Sequence, residues 1–274
     1  MKQIAVLMII GALAMPPFFA GCSKNKGSGG QAPYTIEAGG STSVTPLMEL
    51  LAEEYRKVKP HIKININGTG SGDGIKNTGI LYQIGMSSRE LTPAEQGQGL
   101  QETIIAIDGI AVIVNSASPV GDLSIEQIRN IYTGAITDWS QVSGNTKSGR
   151  IAVISREEGS GTRGAFEELV GFQGKLLAGA NEFTSTGAIK ASIAGNADAI
   201  GYISMGSVDD TVKAVAVNGI AAGNESVIKG SYKIARPFIF LTGGNLHPES
   251  RAFIDWTLGA EGQAVVRKSW IPVK

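Results

Sequence analysis

One loop of this chain has the composition of an anion-binding loop. Residues 156–164 read Arg-Glu-Glu-Gly-Ser-Gly-Thr-Arg-Gly, and they follow a short apolar run typical of a buried strand and precede a helical pattern. The N-terminus of a helix directs backbone N–H groups and the positive end of the helix dipole at one point. Ser160 and Thr162 add hydroxyl donors, and Arg156 adds a guanidinium fork. This combination is the chemistry of a site for a small oxyanion.

Loops of similar composition recur earlier in the chain. Three strand-like runs end in residues 39–43, 68–74 and 86–89, all rich in glycine and hydroxylated side chains. In open α/β sheets, ligands bind outside the carboxyl ends of the strands. The loops together predict one anion that is held from several sides.

Two nucleotide-binding motifs fit less well. Gly159, Gly161 and Gly164 have the spacing of a dinucleotide fingerprint, and Glu182 lies near the place of the ribose-binding acid. The intervening hydroxylated residues and the preceding arginine favour a small anion instead. Residues 68–76 contain no Gly-x4-Gly-Lys-Ser/Thr spacing and therefore form no P-loop.

Hydrolytic catalysis has little support in the sequence. A serine nucleophile needs a base and a group that orients the base. The two histidines, His61 and His247, have no evident partner, and the residues around Ser160 do not form Gly-x-Ser-x-Gly. The chain has no histidine or cysteine cluster, so we expect no metal and no cofactor.

The N-terminal residues are typical of an exported lipoprotein. Residues 1–21 combine a charged start, an apolar run and small residues, which predicts a signal peptide. Cys22 is the one cysteine of the chain and cannot form an internal disulfide. The Ala-Gly-Cys ending resembles a bacterial lipobox, so we expect cleavage before Cys22 and its lipidation, with residues 22–32 as a flexible polar tether. An ordinary signal peptide that contains a stray cysteine is the alternative.

Composition excludes some classes of partner. The 24 basic residues balance 24 acidic ones and the aromatic content is 6%, so neither a basic patch nor stacking platforms indicate nucleic acid. We find no second apolar segment that is long enough to span a bilayer.

Strands and helices alternate along the chain, which indicates an α/β fold. Residues 104–114 form an apolar run long enough for a strand that continues from one lobe into another, and residues 232–241 form a late strand that returns to the first lobe. Two such crossing strands predict two lobes joined by two linkers.

Five segments, in order, resemble the phosphate-binding protein of bacterial high-affinity phosphate ABC transporters. They are residues 40–46, 68–75, 85–89, 156–162 and 199–203. The resemblance runs from about Tyr34 to Pro272. It implies a periplasmic-binding-protein type II fold, with two α/β lobes, a two-strand hinge and the ligand in the cleft. Lobe 1 would comprise residues 33–112 and 236–274, and lobe 2 residues 113–235.

The resemblance also implies a set of residues that bind phosphate. Carried over position by position, these are Thr42, Ser43, Ser71 and Ser88 from the first lobe and Arg156, Ser160, Gly161 and Thr162 from the second. Glu158 would pair with the arginine and hold its fork in place.

The sequence departs from the family at one position. Well-studied members have an aspartate after Gly-x-Ser, where this chain has Ser88. A buried carboxylate accepts the proton of phosphate and repels sulfate, whereas serine does not repel. Asp73 is the nearest substitute, and we predict that it accepts that proton.

The implied function is high-affinity, extracytoplasmic binding of phosphate for delivery to the permease subunits of an ABC transporter. The protein would be a non-enzymatic monomer, anchored to the membrane through Cys22. A receptor for another tetrahedral oxyanion such as sulfate, a secreted phosphoester hydrolase and a surface signalling or adhesion protein remain as alternatives.

Overall fold

The structure is a computed structural model that describes residues 32–144 and 146–273. The predicted signal peptide and the lipidation site at Cys22 lie outside the described residues. Within these two ranges, no helix combines the length and the apolar character needed to cross a bilayer.

The described ranges contain strands and helices in alternation. The strands are β1 (Tyr34–Gly40), β2 (Ile62–Gly68), β3 (Ile84–Ser87), β4 (Gln101–Asn115), β5 (Asp122–Leu123), β6 (Ala152–Arg156), β7 (Asn181–Phe183), β8 (Ala199–Ser204), β9 (Val212–Ala214), β10 (Ala216–Val217) and β11 (Ala235–Thr242). The helices are α1 (Thr45–Val58), α2 (Ser71–Asn77), α3 (Pro93–Gln96), α4 (Ile125–Thr133), α5 (Gly161–Val170), α6 (Thr186–Ala194), α7 (Asn224–Ile228), α8 (Pro248–Leu258) and α9 (Ala260–Val266).

The main sheet has the strand order β2-β1-β3-β11-β4-β8-β6-β7, with β9 also paired to β4. β1, β2 and β3 are parallel, so their carboxyl ends meet at one edge. The first part of β4 pairs antiparallel with β11, and from Ile110 onwards it pairs with β8. The long strand predicted over residues 104–114 is therefore confirmed, and it connects two groups of strands.

The side chains of the sheet divide into separate hydrophobic cores. One core packs β1, β3, α1, α8 and α9 around residues such as Leu47, Phe240 and Phe253. Another packs α4 and α5 against β6 and β8 around Trp139 and Phe166. β4 contributes Ile105 to the first core and Val112 to the second. The architecture confirms the predicted two-lobed α/β fold in which two strands, β4 and β11, form the hinge.

Local sequence signals explain how several helices begin. α4 starts at a capping box, where the Ser124 hydroxyl accepts from the N–H of Gln127 and the Gln127 side chain accepts from the N–H of Ser124. Ser160 and Ser185 cap α5 and α6 in the same way, by accepting from a backbone N–H three residues later. The serines that precede α4, α5 and α6 thus set the starts of these helices.

Candidate anion-binding site

Five loops that follow strands converge at one place. They lead from β1 to α1, from β2 to α2, out of β3, from β6 to α5 and from β7 to α6. The register of the parallel strands explains the convergence in the first lobe, because Ala38 lies beside both Ile66 and Ile84. The site therefore lies outside the carboxyl ends of the strands, as expected for an open α/β sheet.

Three serine hydroxyls of the first lobe form a connected group. The Ser41 hydroxyl donates to that of Ser88 at 2.9 Å, and the hydroxyls of Ser71 and Ser88 lie 3.2 Å apart. The backbone N–H of Ser88 also donates to the Ser71 hydroxyl at 3.1 Å. All three residues are at most 2% exposed, so these hydroxyls are fixed at the base of the site.

A second group of hydroxyls joins the two lobes. The Ser43 hydroxyl lies 2.8 Å from that of Thr162 and 3.0 Å from that of Thr186. Thr42 completes the group, with its hydroxyl 3.3 Å from that of Thr186 and accepting from the Thr186 N–H. A hydroxyl can donate as well as accept. The hydroxyls of this group can therefore turn their protons towards an anion.

Arg156 supplies the positive charge of the site. It lies at the end of β6, is 2% exposed, and its Nη1 reaches the Thr186 hydroxyl at 3.5 Å. Nε and Nη2 donate to the two carboxylate oxygens of Glu157, each at 2.9 Å. The bidentate contact fixes the plane of the guanidinium and offsets its charge.

The prediction that Glu158 orients the arginine is wrong. Glu157 forms the ion pair, whereas Glu158 is exposed. The reason is a contact with a neighbouring strand: Glu157 is only partly exposed beside the end of β6, and its N–H donates to the carbonyl of Phe183 in β7. This strand-like contact keeps its carboxylate beside Arg156.

Hydrogen bonds to its backbone hold Arg156 in place. Arg163 donates to the carbonyl of Arg156 at 2.9 Å and pairs with Glu167 and Glu182. The backbone N–H of Arg156 donates to the hydroxyl of Tyr202, and burial raises the pKa of that phenol to about 12, so it stays neutral. Glu182, the acid that a nucleotide site would have required, is therefore part of this support.

Gly161 allows a close approach between the lobes. A Cβ atom at this position would lie 2.3 Å from the Ser71 hydroxyl oxygen and 2.9 Å from that of Ser88. Beside it, the N–H of Gly72 donates to the carbonyl of Gly159 at 3.0 Å. The first turn of α5 thus contacts the serine group directly.

Asp73 is engaged elsewhere. Its carboxylate accepts from the Thr69 hydroxyl at 2.6 Å, the Asn77 amide at 2.7 Å and the Tyr82 hydroxyl at 3.0 Å. These partners lie in and around α2, and among the hydrogen bonds of the described residues none connects Asp73 to the serine group. The geometry gives Asp73 a role in holding the loop and does not support the prediction that it accepts a proton from the ligand.

The structure brings together the other predicted binding residues and adds two more. Ser160 caps α5 next to the site, and Ser41 and Thr186 are the additional hydroxyls that sequence reasoning missed. A signal for Thr186 was present, because residues 184–186 read Thr-Ser-Thr from the end of β7 to the first residue of α6. This is the same strand–hydroxyl–helix pattern that identified the other loops.

Neither histidine of the described ranges lies among these hydroxyls. His247 stacks on Tyr34 at 3.9 Å, and His61 lies 3.7 Å from Glu249. Tyr34 is the first residue of β1, whereas the anion site lies at the other end of that strand. Among the residues that the structure describes, no group of three or more metal-ligating side chains is assembled.

The fold and the site define a two-lobed protein that encloses a small anion between donors from both lobes. A family model described as a PBP superfamily domain matches residues 26–261. The structure is similar to that of a Clostridium perfringens protein described as a phosphate ABC transporter substrate-binding protein and solved with bound phosphate. The two share 45% identity and a TM-score of 0.85, over 88% of this chain and 100% of the other.

Two further relatives agree with this comparison. An ABC-type phosphate transport receptor from Vibrio cholerae is 34% identical, with a TM-score of 0.72, over 87% of this chain and 100% of the other. The phosphate-binding protein PstS of Borreliella burgdorferi is 27% identical over 248 residues, which cover 85% of this chain and 88% of the relative. The chain belongs to the PBP superfamily and, within it, to the family of phosphate-binding proteins of phosphate ABC transporters.

Proposed function

We propose that the protein binds inorganic phosphate outside the cytoplasm and delivers it to the permease of an ABC transporter. The observation that carries this proposal is the convergence of buried hydroxyls from both lobes on Arg156. The relatives named above, one of them solved with bound phosphate, support the choice of ligand.

The donors suit a tetrahedral anion. Hydroxyls approach from Ser43, Ser71 and Ser88 on one side and from Thr162 on the other, while Arg156 provides a charge-assisted donor. α1, α5 and α6 begin beside these hydroxyls, so their positive dipole ends also face the site. Four oxygens in a tetrahedral arrangement can accept from such donors in several directions at once.

The two lobes would close on the ligand about β4 and β11. We propose the boundaries expected from the sequence, residues 33–112 with 236–274 and residues 113–235. The division of the hydrophobic cores supports the boundary at residue 236, because Ile234 packs in one core and Phe238 in the other, and it places the crossing in β4 a few residues earlier than proposed, between Ala106 and Ile110. The hydrogen bond from Gly72 to Gly159 is one of the contacts that closure would form.

Lipidation of Cys22 would hold the protein at the outer face of the membrane that contains the permease. The support for this step is the lipobox-like sequence that precedes Cys22 and the polar tether that follows it. Mass spectrometry of the mature protein from the bacterial envelope tests this directly. Diacylglyceryl-modified Cys22 as the first residue is expected, and an unmodified N-terminus would refute the anchor.

We propose that the protein is a binding protein without hydrolytic activity. The family consists of substrate-binding proteins of transporters, and the hydroxyl groups of the described site have no histidine base beside them. A chromogenic phosphomonoester, tested with and without divalent cations, should remain uncleaved. Turnover that is lost when Ser160 or Thr162 is replaced would refute this statement.

Calorimetric titration tests the proposed ligand. The purified protein is unfolded and refolded to remove carried-over anion, and it is then titrated with phosphate and with sulfate at neutral pH. We expect sub-micromolar binding of phosphate and no heat with sulfate. Arg156→Met should abolish binding. Arg129→Met is the control, because Arg129 is exposed and donates to the carbonyl of Val170 at the far end of α5. Comparable binding of both anions would indicate a general oxyanion receptor, and binding of neither would refute the proposal.

A further inference from the structure

A second arginine lies buried beside the site, on the hinge. Arg236 of β11 and Asp108 of β4 are directly opposite each other in the antiparallel pair. The side chains of Arg236 and Asp108 are 2% and 0% exposed, and Nη2 of Arg236 lies 3.1 Å from Oδ2 of Asp108. The pair sits just before β4 changes its partner from β11 to β8. It therefore occupies the place about which the lobes would move.

Arg236 also contacts the serine group. Its Nη1 donates to the backbone carbonyl of Ser88 at 3.1 Å, from the side opposite the ion pair with Asp108. Ser88 in turn carries the hydroxyl that joins Ser41 and Ser71. One guanidinium thus connects the hinge carboxylate with the central serine of the site.

The residues that surround this pair are buried, and a second charged group, Arg156, acts on it. The Ser204 hydroxyl donates to Oδ1 of Asp108 at 2.7 Å, and the guanidinium carbon of Arg236 lies 5.4 Å from the centre of the Phe238 ring. Burial lowers the pKa of Arg236, Asp108 opposes this effect, and the charge of Arg156 lowers the pKa further. The two guanidiniums are therefore close enough to repel each other, and a bound anion would relieve that repulsion.

Stability alone gives little reason for such a pair. Replacing a buried ion pair with well-packed neutral residues is often neutral or stabilising, because desolvation of the two charges offsets their attraction. Among the described residues, the pair has a hydrogen bond to one of the proposed binding residues, Ser88.

We propose that Arg236 is a positioning residue of the anion site, which fixes Ser88 through its carbonyl and places positive charge behind it, with Asp108 as its counter-ion. The proposal rests on the proposed function, since it assigns a role towards the same anion. It also couples binding to the hinge, because a shift of β11 against β4 would move the group that holds Ser88.

The test compares two ion pairs that adjoin Ser88. In Arg236→Met/Asp108→Asn, the buried pair is removed without leaving an unpaired charge. The control is Arg89→Met/Glu95→Gln, which removes an ion pair of 2.7 Å at Arg89, the residue that follows Ser88. The Arg89 guanidinium donates to the Glu90 carbonyl and the Glu95 carboxylate and not to Ser88. Both variants keep the net charge of the protein.

Phosphate affinity is measured by calorimetry for the wild type, both double variants and each of them combined with Ser88→Ala. We expect the Arg236/Asp108 variant to fold and to bind phosphate about tenfold more weakly, and the control to stay within about threefold of the wild type. The loss caused by Ser88→Ala should be at least about threefold smaller without Arg236, because the hydroxyl is then no longer held in place. A purely structural role would lower stability without this coupling.

Wild-type affinity of a folded Arg236/Asp108 variant, or effects of Ser88→Ala that are additive, would overturn the proposal. If the double variant does not fold, Arg236→Lys decides. Lysine keeps the charge but lacks the fork that reaches both Asp108 and Ser88, so about tenfold weaker binding supports the proposal and unchanged binding overturns it. Absence of phosphate binding by the wild type would instead refute the proposed function, independently of the variants.

Discussion

Gly161→Ala separates the stability of the protein from the closing of its site. Gly161 is the first residue of α5, and alanine is favoured over glycine in a helix by roughly 0.5–1 kcal/mol. The added Cβ would nevertheless lie 2.3 Å from the hydroxyl oxygen and 2.8 Å from the Cβ of Ser71. Because the Ser71 Cβ cannot rotate away, the two lobes must separate at this point.

The size of the effect follows from the contacts that cross the cleft. Ordinary contact begins at about 3.4 Å, so α5 must retreat by about 0.6 Å to clear the Ser71 Cβ and by about 1 Å to clear the hydroxyl oxygen, which its contacts with Ser88 hold in place. This movement breaks the hydrogen bond of 3.0 Å from Gly72 to Gly159 and the contact of 2.8 Å between Ser43 and Thr162. At about 1 kcal/mol for each, closure loses about 2 kcal/mol, which corresponds to roughly 30-fold weaker binding of phosphate.

Calorimetry and thermal unfolding measure the two quantities in parallel. Gly159→Ala is the matched control, since it is the same change two residues away and its Cβ would meet no atom within 4 Å. Gly161→Ala should unfold within a few degrees of the wild type without phosphate, yet bind it about 30-fold more weakly. Gly159→Ala should bind normally. Wild-type affinity of Gly161→Ala would show that the bound protein does not close with α5 against Ser71, and equal losses in both variants would show that the loop is merely sensitive to any change.

Four further variants test individual carboxylates. Glu157→Gln should lower the free energy of unfolding by about 1–3 kcal/mol in urea denaturation without phosphate, because it leaves the charge of Arg156 unpaired; the partial exposure of Glu157 reduces this cost. Glu158→Gln should stay within about 0.5 kcal/mol of the wild type. A larger loss in Glu158→Gln than in Glu157→Gln would show that Glu158 is the partner of Arg156. Asp73→Asn should leave the ratio of phosphate to sulfate affinity unchanged in calorimetry, and a collapse of that ratio would show that Asp73 does accept the proton. Burial raises the pKa of Asp108 to about 6. Between about pH 4 and 6 the folded protein therefore binds a proton that the unfolded protein does not, and the free energy of unfolding of the wild type should fall by about 2–3 kcal/mol as the pH rises through this window. In Asp108→Asn that slope should disappear, and an unchanged slope would exclude Asp108 as its source.

The parts of the site that the sequence could predict are those set by local patterns. A buried strand, a loop of small hydroxylated residues and a helix follow each other around Ser160, and this order alone places the loop at the carboxyl edge of a sheet and its N–H groups at the anion. The same reasoning applies to Ser43 and Ser71, because each follows a strand and lies at or just before the start of the next helix. The long strand β4 was predictable for a similar reason, since its apolar run exceeds the width of one lobe.

The differences between the predictions and the structure concern the directions of side chains. Asp73 and Asn77 are four residues apart on α2 and therefore share one face of the helix, which turns the carboxylate towards Tyr82 and away from Ser71. Recognition of the short helix would have given this answer. The choice between Glu157 and Glu158 depends instead on the contact of the loop with β7, which is formed by residues more than 20 positions later. No local pattern contains that information.

Charge balance explains why neither composition nor a count of basic residues identified this site. The two buried arginines that adjoin the hydroxyls are each matched by a carboxylate, Arg156 by Glu157 and Arg236 by Asp108. No net positive charge therefore attracts the anion. It is attracted by oriented N–H and O–H groups and by the two guanidiniums, whose carboxylate partners lie on the side away from the hydroxyls. Such a site distinguishes anions by geometry and by the number of oxygens that can accept, because a merely attractive field would favour every anion alike. The arrangement depends on pairs such as Arg236 and Asp108, which are 128 residues apart in the sequence and meet only when β4 and β11 form the hinge.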